Sequence, residues 1–185
     1  MKKQYLNETQ FQEIQPKFIS GQAQIKVDRN VARQVFTHVP NKSIVETTGR
    51  SMLGKKVIIL TGLILPVILF LACLILIVYY FGWYSTIVVP LTGIFWTIIV
   101  GLTADKGTWI HSTAGIAVGL GIAVLVPINF GIPIALFSVS LWLQRMTYLL
   151  AEIWVTELVT QSYGAYDMLA EHLSLSIDDA TSDAT

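Results

Sequence analysis

Ser140, Gln144 and Thr147 are four and three residues apart, the spacing that puts side chains on one face of a helix, within a stretch that is otherwise almost wholly apolar. Hydroxyl and amide groups aligned in this way can line a water path through a membrane or hydrogen-bond to a neighbouring helix. Arg145, next in the chain, adds a cation that could hold an anionic lipid or a permeating anion, or could reach water and fix topology. His111 falls one turn into another apolar stretch, near Asp105, Lys106 and Trp109. An imidazole there could relay protons, and at interfacial depth it could equally reach water or headgroups. Ser140, Gln144, Arg145 and His111 are thus the residues of a possible polar path.

Catalytic signatures are missing. The stretch GRSMLG at Gly49 to Gly54 has the wrong spacing for a nucleophile elbow and precedes an apolar helix instead of following a strand. The sequence around His172 lacks the second histidine of a zinc-protease helix, and three histidines with one cysteine show no ligand spacing. Ser138 and Ser140 have no histidine in their own helix to act as a base. The reading is therefore of a non-enzyme without cofactor or metal.

Gly119-Leu120-Gly121 raises the question of a phosphate-binding loop, which would need a turn between strand and helix. These glycines lie instead inside a run of small apolar residues. Gly115, Gly119 and Ala123 recur every four residues on one face, and Ala117 and Gly121 on a neighbouring one. Small residues so spaced let membrane helices approach closely, so they are expected to pack helices, within the chain or between copies.

The elements that carry these residues follow from composition. Of 185 residues, 54% are hydrophobic and 13% charged, against roughly 25% charged in an ordinary soluble domain. Val57 to Ala104 is 48 residues without a charge, and Thr108 to Gln144 is 37. A bilayer core needs about 20 helical residues per crossing. The fold class expected is an all-α membrane protein with four transmembrane helices, at about 57–80, 85–104, 108–126 and 132–148. Turns fall at Phe81 to Tyr84 and at the PINFGIP stretch, and Pro66 kinks the first helix. The basic amino terminus has no apolar core behind it and does not read as a signal peptide.

Orientation follows from lysine and arginine, which accumulate on the cytoplasmic side. Ten of twelve basic residues precede Val57, and the turns near Gly82 and Asn129 carry no charge. Both termini are therefore expected in the cytoplasm, with the protein in the inner membrane.

Residues 1–56, a basic segment of net +6, alternate Ala23, Ile25 and Val27 with polar residues as a half-buried strand would, and that strand needs a partner, which another chain could supply. A helix is expected after Asp28, ending at Pro40. An earlier one is expected after Asn7, limited by Pro16. Residues 149–185, net −7 from residue 146 onward, read as a helical extension, bent at Gly164, followed by a disordered acidic tail after Leu175. Opposite charge at the two ends suggests that they dock on one another or on a neighbouring copy, or that the basic end meets anionic lipid. Lys26, Arg29 and Arg33 are the candidates for docking a partner. The partners expected are the lipid bilayer, further copies of the chain and a cytoplasmic protein, with no nucleic acid. The function expected is a membrane subunit that oligomerises and anchors or signals to that partner within a larger bacterial complex. The alternative is a small oligomeric channel or pore.

Overall fold

The computed structural model describes residues 6–103 and 109–177. They form two compact units. One joins the residues up to Lys56 with those from Ala151 onward, and the other is Val57–Leu150.

In the terminal unit, α1 (Glu8–Ile19) opens with a reciprocal cap: Asn7 Oδ1 accepts from the Gln10 amide while the Gln10 side chain accepts from the Asn7 amide. Pro16 falls within α1 and does not end it. Gly21, at φ 77°, takes the chain from the end of α1 into β1 (Ala23–Val27), a turn that a residue with a Cβ makes only with strain. Asp28 then caps α2 (Arg29–His38) through the amides of Asn30 and Val31. α3 (Asn41–Thr48) follows.

The strand alternates as the sequence predicts, with Ala23, Ile25 and Val27 buried. Its partner differs from the expectation. β1 pairs antiparallel with β2 (Leu173–Ile177) of the same chain, Ala23 opposite Ile177 and Val27 opposite Leu173. Strand pairing satisfies the backbone of both segments at once, so the acidic end is extended through Ile177 and the helical carboxyl segment ends in a strand. The described chain is predominantly helical, consistent with the all-α class, with this two-stranded sheet in the terminal unit. Residues 178–185 lie outside the described residues.

The core of this unit gathers Phe11, Val27, Phe36, Ile44, Val155, Val159 and Tyr166. Phe11 meets the Tyr166 ring at 5.3 Å, and the Tyr166 hydroxyl accepts the Leu6 amide at 3.2 Å. The helical extension breaks at Ser162, which has extended backbone between α7 (Ile128–Gln161) and α8 (Tyr163–Leu169), and not at Gly164. Gln15 Nε2 donates to the carbonyls of Thr160 and Gln161, satisfying acceptors that the end of α7 leaves free. Gly164 serves close packing instead, since a Cβ there would lie 2.8 Å from Thr47 Cγ2.

The second unit is built from α4 (Leu53–Phe81), α5 (Ser85–Thr103), α6 (Trp109–Leu125) and the first part of α7. A 310 turn at Gly82–Tyr84, entered through Gly82 at φ 50°, joins α4 to α5 where a turn is expected. The other turn is shorter than expected. Pro127 accepts the amides of Phe130 and Gly131 at 2.9 Å, so α7 starts at Ile128 and Pro133 lies inside it. Helix directions alternate. Phe70 stacks on Trp96 at 4.7 Å, so α5 runs back along α4. Pro66 meets Ser140 and Cys73 meets Pro133, so α7 opposes α4. Gly119 lies against Ser138 and Ala123 against Gly131, so α6 opposes α7.

Two helical stretches, Leu53–Val100 and Ile128–Gln161, are long and apolar enough to cross a membrane, and Ser112–Leu125 is apolar but shorter. Of the most apolar window in the first stretch, 17% is buried within the chain, unlike the core helix of a soluble domain. Ile64, Ile75, Val124 and Leu125 are all more than half exposed.

Candidate functional site

Pro66 sets the geometry of the polar residues. Proline in a helix interior has no amide hydrogen for the carbonyl four residues earlier, and its ring crowds that carbonyl. In α4 the acceptor so affected belongs to Gly62, and Thr147 of α7 donates its hydroxyl to it at 2.9 Å. The same Oγ1 lies 2.8 Å from the Leu143 carbonyl, so one proton serves two acceptors. Gly62 allows the approach, because a Cβ there would come within 3.1 Å of Thr147 Cγ2.

One turn further along α4, Ser140 Oγ donates to the Pro66 carbonyl at 2.8 Å and accepts from Trp96 Nε1 at 3.0 Å. Ser140 is fully buried, and its hydroxyl is used as both donor and acceptor. A third link follows where Cys73 Sγ donates to the Pro133 carbonyl at 3.2 Å. The three links run along the α4–α7 contact as a polar seam in apolar surroundings.

Chemically the seam is a fastening. The partners of Ser140 are a carbonyl and an indole, and neither can take its proton, so the hydroxyl has no base to make it a nucleophile. Among the described residues no group of three His, Cys, Asp or Glu side chains could hold a metal ion.

Of the residues proposed for a polar path, Ser140 and Gln144 share the buried side of α7, with Arg145 half-buried beside them. Gln144 is 8% exposed, and among the described residues neither its Oε1 nor Trp142 Nε1 has a hydrogen-bond partner. The side chain of His111, with Asp105 and Lys106, lies outside the described residues.

The small residues of α6 divide. Gly119 approaches α7 so closely that a Cβ there would meet the hydroxyl of Ser138 and lie 2.7 Å from its Cβ. The Ala123 carbonyl stands over Gly131, the second close approach of these helices. A Cβ added at Gly115 or Gly121 would meet nothing within 4 Å, and Ala117 is exposed.

Among the docking candidates, Arg29 Nε donates to Glu152 Oε2 at 2.6 Å within the terminal unit. Lys26 is exposed on β1, between the buried Ile25 and Val27, and Arg33 is half-buried on α2. Lys55 pairs with Glu157 at 2.8 Å and lies 5.6 Å from the Trp154 ring centre.

Sequence reasoning singled out Ser140, Gln144 and Thr147 and missed the counterparts of the two hydroxyls, Trp96 and the carbonyls of Gly62 and Pro66. A signal for one of these existed, since a proline within an apolar helix marks the residue four before it as a carbonyl in need of a donor. No protein family, curated protein or solved structure matches the chain.

Proposed function

We propose that the chain is a non-enzymatic polytopic membrane subunit. Four crossings, α4 to α7, anchor the terminal unit at the cytoplasmic face of the inner membrane, where it engages a soluble protein partner within a larger complex. Leu53–Val100, at about 1.5 Å per residue, would measure about 72 Å, more than twice a bilayer core of about 30 Å. Its turn at Gly82–Tyr84 supports two crossings. α6 has 17 residues, the short end of the crossing range. α7 has 34 and outlasts the bilayer. The exposed apolar surface of these helices, more than a soluble monomer leaves in water, supports lipid as their surroundings.

The observation that carries the anchoring reading over a pore is the use made of the seam. Ser140 and Thr147 give their hydroxyls to α4 carbonyls, and Trp96 completes Ser140. A water-filled path needs polar atoms free to hydrate what passes, and here they join helix to helix. The open small-residue face at Gly115 and Gly121 suits association between copies.

The channel reading is favoured by one feature, the Gln144 Oε1 at seam depth with no partner among the described residues. Recording from purified full-length protein in a planar bilayer separates the two. The expected result is no reproducible unitary current. A selective current abolished by Ser140→Leu with Gln144→Leu, assembly being retained, would overturn the reading. Purification in native-membrane discs with mass measurement should recover further copies of the chain and a soluble protein.

A further inference from the structure

The second unit contains a cavity of about 430 Å³ between α4, α5 and α7, open at one side. Each helix presents one face to it, including Cys73 and Phe81 from α4, Leu91 and Thr92 from α5, and Phe130 and Ile134 from α7. Cys73 and Phe81 are eight residues apart, so the groove runs about 12 Å along α4.

We propose that this groove is a binding site for one acyl chain of a bilayer phospholipid. The proposal rests on the membrane reading above. Its chemistry follows from what the walls can and cannot offer. Thr92 and Cys73 are the lining residues with hydrogen-bonding side chains. Thr92 Oγ1 donates to the Val88 carbonyl at 2.8 Å and Cys73 Sγ to the Pro133 carbonyl at 3.2 Å. Thr92 is thus spent within α5 and Cys73 on the backbone of α7. A ligand headgroup would find no partner here, and a buried water needs two to four polar neighbours to be retained. The occupant must therefore be hydrocarbon, and it must enter from the side. Phospholipid tails surround these helices on the proposed reading and meet both requirements, with the headgroup left outside the groove. The rings of Phe81 and Phe130, 4.8 Å apart, both line the groove.

The test uses full-length protein in phosphatidylcholine nanodiscs containing a small fraction of a phospholipid with a photoreactive diazirine midway along one acyl chain. After illumination the labelled residues are mapped by mass spectrometry. Incorporation into the discs is checked first, and failure to incorporate would sink the membrane reading itself. Given incorporation, labelling should be several-fold higher at Leu91, Thr92 and Ile134 than at Val124, which is 84% exposed on α6. Leu91→Trp and Ile134→Trp each fill the groove from a different helix. Either variant, if it incorporates with native helicity, should bring labelling of the remaining lining residues down to the Val124 level. Lining residues labelled no more than Val124 in the unmodified protein would overturn the proposal. So would cross-links there to a second copy of the chain, or retention of an isoprenoid tail in place of the phospholipid chain.

Discussion

Thr147 supplies to the Gly62 carbonyl, at 2.9 Å, the hydrogen bond that the ring nitrogen of Pro66 cannot. The two helices are thus joined where one of them is chemically incomplete. That relationship makes the effect of a change at 147 depend on what stands at 66.

Thr147→Val keeps the shape and removes the donor. In the native background it should destabilise the bundle by about 1 kcal/mol, since an acceptor is left unpaired in apolar surroundings. Pro66→Ala restores a backbone amide that can reach Gly62 within α4. In that background the same valine change should cost less than about half as much. Reversible unfolding in mixed micelles measures both, and equal losses in the two backgrounds would contradict the assignment.

Gly119 and Gly115 share a face of α6 yet should respond differently. Gly119→Leu drives a side chain into Ser138 and should cost about 1–3 kcal/mol, a typical penalty for overpacking. Gly115→Leu meets open space within the chain and should leave folding unchanged while weakening self-association. Unfolding titrations together with mass measurement in native-membrane discs distinguish the two effects. A Gly119→Leu variant as stable as the parent would place the α6–α7 contact elsewhere.

Arg29 and Glu152 are 14% and 23% exposed and 2.6 Å apart. Removing either leaves a partly buried charge without this partner, so Arg29→Ala and Glu152→Ala should together cost less than the sum of the two alone. A coupling of about 1 kcal/mol is expected from a double-mutant cycle on the full chain. Strict additivity would mean that the pair contributes nothing to the terminal unit.

The parts legible in the sequence are those governed by local pattern. The alternation at Ala23, Ile25 and Val27 marks a strand, Asn7 and Gln10 mark a helix start, and Gly82 marks the turn between α4 and α5. The partner of that strand is not legible, because Leu173–Ile177 is 146 residues beyond Val27 and runs straight into the serine- and aspartate-rich end of the sequence, whose composition is that of a disordered tail. The break at Ser162 is hidden for a similar reason. Gly164 is the stronger local signal, yet the capping of α7 by Gln15 and the contact of Gly164 with Thr47 depend on residues over a hundred positions away. At the seam, the hydroxyls of Ser140 and Thr147 could be read from a shared helix face, seven residues apart, whereas their acceptors are backbone atoms with no side-chain signature.

Four crossings with both chain ends on one side are the central feature of the proposed topology, and labelling of single cysteines in intact cells tests that arrangement most directly. In a Cys73→Ala background, Trp83→Cys and Asn129→Cys should react with a membrane-impermeant maleimide added from outside the cell. Ser20→Cys and Asp167→Cys, exposed within the terminal unit, should react only after the membrane is opened. Labelling of residue 20 or 167 in intact cells, or protection of residue 83 or 129 there, would contradict it.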